Sequence, residues 1–185
     1  HMDHVTGFDD VRRFTIPEDA AMPVYGLPET LEALRRIFHF SFSPANRWRG
    51  YLKADPRVIE GPFQLGGTEI TPLGVKHGGV DTTGFLFSRG GKKLCAYFSD
   101  IKEPMPDSVE GLRGVDTLIV DGLRHTPHPT HMNFAEAQAF AARVRPRQTW
   151  LTHIQCEILH AREEQRLPPG VKIAYDGLKL RWQFE

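Results

Sequence analysis

The residues with chemistry to offer are histidines and aspartates, and most of them stand at the ends of apolar runs. The chain opens His1-Met2-Asp3-His4, three metal-capable side chains on one tight stretch, ahead of Val5-Thr6-Gly7-Phe8-Asp9-Asp10-Val11-Arg12. His77 ends the run from Thr68, Asp100 ends the run from Lys92, and His153 ends Gln148-Thr149-Trp150-Leu151-Thr152. Neutral imidazoles and carboxylates form a donor set for zinc, manganese or iron, whereas a soft thiolate site needs cysteines that these stretches lack. Six donors (His1, Asp3, His4, His77, Asp100 and His153) favour two ions over one. Two ions about 3.5–4 Å apart on a shared carboxylate lower the pKa of a bridging water and stabilise both oxygens of an in-line displacement. Asp100 is the natural shared carboxylate, and the chemistry is hydrolysis. His-Met is also a common vector remnant, so His1 leans on this context more than the other five.

These side chains need elements to hold them. Val5, Phe8 and Val11 space a short helix over 5–14, with Asp9 and Asp10 supporting the loop rather than ligating. Met22–Gly26 reads as a short strand. Pro28-Glu29-Thr30 starts a helix whose Leu31, Leu34, Ile37 and Phe38 form one apolar stripe, with His39 at its end. Residues 40–67, with Phe40-Ser41-Phe42, Arg47-Trp48-Arg49 and Gly61-Pro62-Phe63, read as a packed, irregular insertion near a site or interface. Thr68–His77 is a strand running into Gly78-Gly79, and 84–89, Gly90-Gly91 and 92–100 form a hairpin. Asp116–Asp121 is a β-branched strand that delivers a loop with His125, His128 and His131. Asn133 and Glu136 cap a helix over Phe134–Val144. A strand at 148–153, a helical stretch around 160–166 and a hairpin turning at Asp176-Gly177 follow. Strands alternating with helices, with polar residues collected at strand ends, imply layers of sheet and helix with a site along one edge.

Composition narrows the class. The 185 residues are 40% hydrophobic and 25% charged, an ordinary globular balance and the length of one domain, 1–185. Lysine plus arginine equals aspartate plus glutamate at 23 each, so no net field favours nucleic acid or an anionic membrane. Cys95 and Cys156 lack C-x-x-C spacing and indicate neither a disulfide framework nor a zinc ribbon, which fits a reducing cytoplasm. Cys156 reads as a small buried hydrophobe rather than a nucleophile. No run reaches the roughly 18 apolar residues of a membrane span.

The order His-x-Asp-His, His-Gly, Tyr97-Phe98-Ser99-Asp100 and Leu151-Thr152-His153 resembles the metallo-β-lactamase fold hydrolases, whose ligand motif is His-x-His-x-Asp-His. Within them the chain is most similar to the PhnP-like phosphoribosyl cyclic phosphate phosphodiesterases. This likeness is carried also by Gly7-Phe8-Asp9-Asp10-Val11-Arg12, His128-Pro129-Thr130-His131, and Leu167-Pro168-Pro169-Gly170 before Ala174-Tyr175-Asp176-Gly177-Leu178. The resemblance implies an α/β, four-layer αββα sandwich that here lacks its N-terminal part. One metal would take His1, His77 and a further histidine, the second Asp3, His4 and His153, with Asp100 between them. Zinc or manganese is the expected pair. The resemblance implies that a metal-bridging hydroxide attacks phosphorus in a small or cyclic phosphate ester. His131, with His128 beside it, would approach the substrate phosphate, and His131 would protonate the leaving oxygen. The motif begins inside its usual span, so we expect a preceding segment to supply the first histidine and part of the sandwich. Gln155-Cys156-Glu157 stands where relatives usually carry Ser-His-Asp, which bears on substrate preference.

The expected partner is a small-molecule phosphate ester, with neither membrane nor nucleic acid involved and a homodimer left open. Ribonuclease Z-like tRNA processing, a role like that of the quinone-cofactor relatives, and a non-catalytic metal- or nucleotide-binding domain are the alternatives. His39, His125 and His160 read as structural, and Arg12 and Arg124 as partners of carboxylates or of phosphate.

Overall fold

The computed structural model describes residues 1–15, 20–45, 48 and 50–183. The chain divides into two compact units, His1–Gly61 and Pro62–Glu185. Arg47 and Arg49 of the aromatic segment lie outside the described residues.

In the first unit Met2–His4 and Phe8–Phe14 are 3-10 helices, so the helix expected over 5–14 takes the tighter i→i+3 form and starts at Phe8. Arg12 pairs with Asp9 at 3.1 Å, the carboxylate reading of that arginine. Strand β1 (Met22–Gly26) pairs in parallel with β2 (Ala54–Val58). A parallel pair needs a crossover, supplied by α1 (Pro28–Ile37) and α2 (His39–Phe42). Helix α1 opens on a proline, whose missing N–H costs nothing in the first turn. It buries Leu31 and Leu34, with Phe38 just beyond. Ile37, expected on that stripe, is 46% exposed, because α1 ends there and Phe38 turns the backbone into α2. Phe8 lies 4.9 Å from Phe38 and 5.9 Å from Phe42, ring to ring, and Phe40 lies 6.2 Å from Tyr51. Leu31, Leu34, Phe38, Leu52 and Ile59 are buried apolar residues of this unit, and the half-buried Phe8, Phe40 and Phe42 pack beside them.

The second unit is built on an eight-stranded sheet. Its strands are β3 (Phe63–Leu65), β4 (Thr68–His77), β5 (Val80–Arg89), β6 (Lys92–Phe98), β7 (Glu103–Pro104), β8 (Thr117–Asp121), β9 (Gln148–Thr152) and β10 (Val171–Ile173). The order is β10-β9-β8-β6-β5-β4-β3, with β7 beside β4. Strands β3 to β6 run antiparallel, and β6, β8, β9 and β10 run parallel. Gly90 and Gly91, with φ of 57° and 75°, make the β5–β6 turn, the doubly left-handed geometry of a two-residue hairpin. Helices α3 (Pro106–Leu112), α4 (Phe134–Val144) and α5 (His160–Glu164) complete the unit.

Helix α4 is the expected one, residue for residue, and its capping box is complete: Asn133 accepts from the Glu136 N–H and Glu136 accepts from the Asn133 N–H. Phe134, Ala137, Phe140, Ala141 and Val144 give it one apolar face. That face joins Val109 and Leu112 of α3 and the sheet residues Ala96, Phe98, Leu118, Val120 and Leu151 in a single core. Gly84 of β5 makes room for this packing: a Cβ there would lie 2.1 Å from the Phe98 ring. Gly84→Ala is therefore expected to lower the unfolding free energy by about 2 kcal/mol, the cost of overpacking a filled core, read as an earlier urea midpoint.

The hairpin expected at Asp176-Gly177 has no return strand among the described residues. Gly177 takes a φ of 88° and Leu178 closes a turn onto the Tyr175 carbonyl at 3.0 Å. The chain then leads to Trp182, whose indole N–H finds its acceptor on Asp116, 3.0 Å away. No helix of the described residues is long and apolar enough to cross a membrane.

Candidate metal centre

The parallel strands β6, β8 and β9 are neighbours in register, with Phe98 beside Val120 and Asp121 beside Thr152. Their C-terminal ends therefore release Asp100, Asp121 and His153 along one sheet edge. Strand β4 points the same way, being antiparallel to β5, and brings His77 to that edge. Carboxyl ends of strands are where open α/β sheets collect ligand sites, since the backbone there is free to turn. His153 turns hardest. Its φ of 58° is left-handed, a conformation that costs a non-glycine residue on the order of 1 kcal/mol and clusters at functional positions. Bonds from Gly122 N–H to the Thr152 carbonyl (3.0 Å) and from Gln155 N–H to the Leu123 carbonyl (2.9 Å) hold it there.

His77 is 2% exposed, and its Nδ1 donates to the Thr130 carbonyl at 2.8 Å. This bond fixes the tautomer that leaves Nε2 as a lone-pair donor, the arrangement typical of a metal-bound imidazole. The approach of Thr130 requires Gly78, where a Cβ would come within 2.5 Å of the Thr130 methyl. Thr82 anchors the Asp100 backbone through a 2.7 Å bond to its carbonyl. The Nε2 of His153 lies 3.4 Å from Oδ1 of Asp100. Two donors each about 2.1 Å from one tetrahedral ion lie about 3.4 Å apart, so this pair has the spacing of shared coordination. Donor atoms of Asp100, Asp121, His131 and His153 all lie within 4.8 Å of one another, a nitrogen and oxygen set that fits a divalent ion such as zinc.

His131 arrives from the irregular loop 122–133. Its ring sits 4.6 Å from His77, 5.0 Å from His128 and 4.8 Å from His153, stacked on the last. Its Nδ1 is 4.0 Å from Asp100 and 2.5 Å from Oδ2 of Asp121. The Asp121 side chain is wholly buried. Burial pushes its carboxyl up to about 8, the nearby Asp100 adds to this, and the Ile101 and Leu123 backbone N–H groups oppose it. Burial likewise pushes His131 down to about 4, helped by His153 and His77. Burial thus disfavours charge on both members of the Asp121–His131 pair, which share one short hydrogen bond. Asp121 is the member of this cluster that sequence reasoning passed over. Its signal was the one that flagged Asp100 and His153, a strand ending on a polar side chain.

The other expected positions sort clearly. His128 is half-buried beside His131 and accepts from the Thr130 N–H at 3.3 Å. His125 pairs with the buried Glu163 at 2.8 Å, and His160 bonds the Ile173 carbonyl at 3.2 Å, so both are structural as expected. Arg124 serves the Thr126 and Pro127 carbonyls. Cys156 is exposed rather than buried, because it sits in the turn that follows His153, and Cys95 is the buried thiol, pushed up to about 12 by burial and then by Asp116. His1, Asp3 and His4 lie on the opening 3-10 turn of the first unit, with His4 3.4 Å from Asp3.

The family described as the beta-lactamase superfamily domain matches residues 1–154. The chain belongs to this superfamily. Its sheet, with helices packed on one face, is the αβ portion of the metallo-β-lactamase fold. A diphosphatase from the PhnP family has a solved structure that superposes with a TM-score of 0.81 at 30% identity, covering 92% of this chain and 63% of that one. The metallo-β-lactamase fold protein YhfI from Bacillus subtilis superposes with a TM-score of 0.75 at 20% identity, covering 96% and 72%. A curated relative, the octanoyltransferase of Porphyromonas gingivalis, is 28% identical over 183 residues, which are 97% of this chain but 36% of that protein. The superfamily chain thus spans about a third of its curated relative.

Proposed function

We propose that this superfamily domain is a metal-dependent hydrolase, a phosphodiesterase acting on a small or cyclic phosphate ester. The observation that carries the reading is the convergence of His77, Asp100 and His153 with the Asp121–His131 pair on one sheet edge. His77, Asp100 and His153 would be metal ligands, the motif order would add His1, Asp3 and His4, and zinc or manganese would be the ions. Bound there, the ions supply Lewis acidity and a nucleophile at neutral pH. Protein groups do the rest. His131 sits beside the ligands with Nδ1 against Asp121; its Nε2–H gives a proton to the departing oxygen while the Asp121 carboxyl passes its own to Nδ1, and a positioned acid of this kind is worth roughly 10²–10⁴-fold. His128 lines the approach and binds the phosphate beside it. The likeness to a PhnP-family diphosphatase supports a phosphate ester over other substrates.

Purified protein loaded with zinc or manganese is expected to hydrolyse bis(p-nitrophenyl) phosphate and an alkyl cyclic phosphate, and to lose both activities with a chelator and regain them on readdition. Bound metal without turnover of either ester would sink the reading in favour of a binding domain. A second reading has its own observation: the curated relative that this chain matches almost end to end is named for octanoyl transfer. The same donors would then serve an acyl ester or thioester, and release of free thiol from an octanoyl thioester, with phosphate esters untouched, would favour it.

A further inference from the structure

We infer that Lys102, through a clasp with Glu136, is the positioning residue that holds His131 against the ligand set. The inference rests on the phosphodiesterase reading. Residues 122–133 have no regular secondary structure, yet His131 needs to be placed within a fraction of an ångström to serve a leaving oxygen. Part of the support comes from Asp121 and from the backbone, where Met132 N–H bonds the Ile101 carbonyl at 2.8 Å and Leu123 N–H bonds the Met132 carbonyl at 2.9 Å. Lys102 supplies what these leave out.

Its own N–H bonds the Lys76 carbonyl at 2.7 Å, next to His77. Its ammonium lies 2.7 Å from Oε1 of Glu136 and 3.4 Å from the carbonyl of His131 itself. One residue thereby ties together the backbone beside His77, the peptide of His131 and the first turn of α4, while standing two positions from Asp100. Glu136 is fixed in turn, since its other oxygen accepts the Asn133 N–H at 2.8 Å in the capping box. The Lys102 side chain is 19% exposed and the Glu136 side chain 39%, so solvent reaches the pair from the carboxylate side and is held off the ammonium stem. A lysine two residues after a metal-binding aspartate could be a phosphate contact. Here its ammonium is spent on protein oxygens.

The test exploits leaving groups. Nitrophenolate departs without a proton, whereas an alkoxide needs one, so misplacing His131 harms alkyl esters selectively. Lys102→Met keeps the aliphatic stem and removes the ammonium. It is expected to lower kcat for an alkyl cyclic phosphate about tenfold, to leave kcat for bis(p-nitrophenyl) phosphate within about twofold, and to leave KM and metal content unchanged. Lys102→Arg should restore most of the loss. Glu136→Gln should reproduce it, and the double variant should be no worse than either single one, the mark of a shared interaction. Hydrogen exchange at the Met132 amide in metal-free protein should quicken in Lys102→Met. Equal losses on both esters, additive losses in the double variant, or unchanged alkyl-ester turnover would each overturn the clasp. A wild-type protein inactive on both esters would instead remove the reading on which it stands, and should Lys102→Met fail to fold, Glu136→Gln carries the same comparison.

Discussion

Asp121→Asn is expected to reduce turnover of an alkyl phosphate ester by roughly 10²–10⁴-fold while metal content stays at the wild-type value. The amide is the size of the carboxyl, so packing is preserved, and an amide oxygen in the Oδ2 position still accepts the Ile101 N–H, 3.4 Å away, while facing Nδ1 of His131. What changes is the partner of His131. A carboxyl group can pass a proton to Nδ1 as the ring gives one up at Nε2, whereas an amide oxygen there only accepts from Nδ1–H and holds the ring in the tautomer with no proton on Nε2. Burial already resists charge on Asp121, so the uncharged amide should leave the melting temperature unchanged or raised. Activity and stability would then move in opposite directions, which a general packing defect cannot do. Turnover within threefold of wild type would remove the dyad. Loss of metal in the variant would make Asp121 a ligand rather than a positioning group.

Asp100→Asn is the second large effect, and it acts on the metals. Asp100 lies 3.4 Å from His153 and 4.0 Å from His131, with Asp121 the neighbouring carboxylate of the same cluster. An amide offers a weak neutral oxygen in place of an anionic ligand, so metal affinity should fall by more than the roughly 10–100-fold that loss of a supporting hydrogen-bond partner costs. Turnover should become undetectable at micromolar metal. The metal-free protein should be no less stable, because the charge removed is the neighbour that raises Asp121. A thermal shift on adding zinc, expected for the wild type, should largely vanish in the variant. Full metal stoichiometry with retained turnover would refute the assignment of Asp100.

The sequence alone determined the parts of this protein whose physics is local. The helix over Phe134–Val144 was legible because its apolar spacing and its Asn133–Glu136 cap agree, and the β5–β6 hairpin because two glycines permit a turn that other residues resist. The places of His77, Asp100 and His153 at or just past strand ends were legible because each ends an apolar run. The superfamily followed from the order of such endings, which local patterning preserves. Tertiary structure decided the rest. Asp121 looked like any strand-terminal acid until parallel pairing in register set it between Asp100 and His153 and burial stripped it of solvent. Ile37 fell off its stripe because the chain turned one residue later, and the hairpin at Asp176-Gly177 failed because a turn signal does not specify what the following segment pairs with. Lys102 was invisible for the same reason: its partners lie 29 and 34 residues away, and nothing local says that an ammonium will be spent on them. Periodicity and caps are encoded within a few residues, whereas the meeting of distant side chains is set by sheet order and register, which only the folded chain defines.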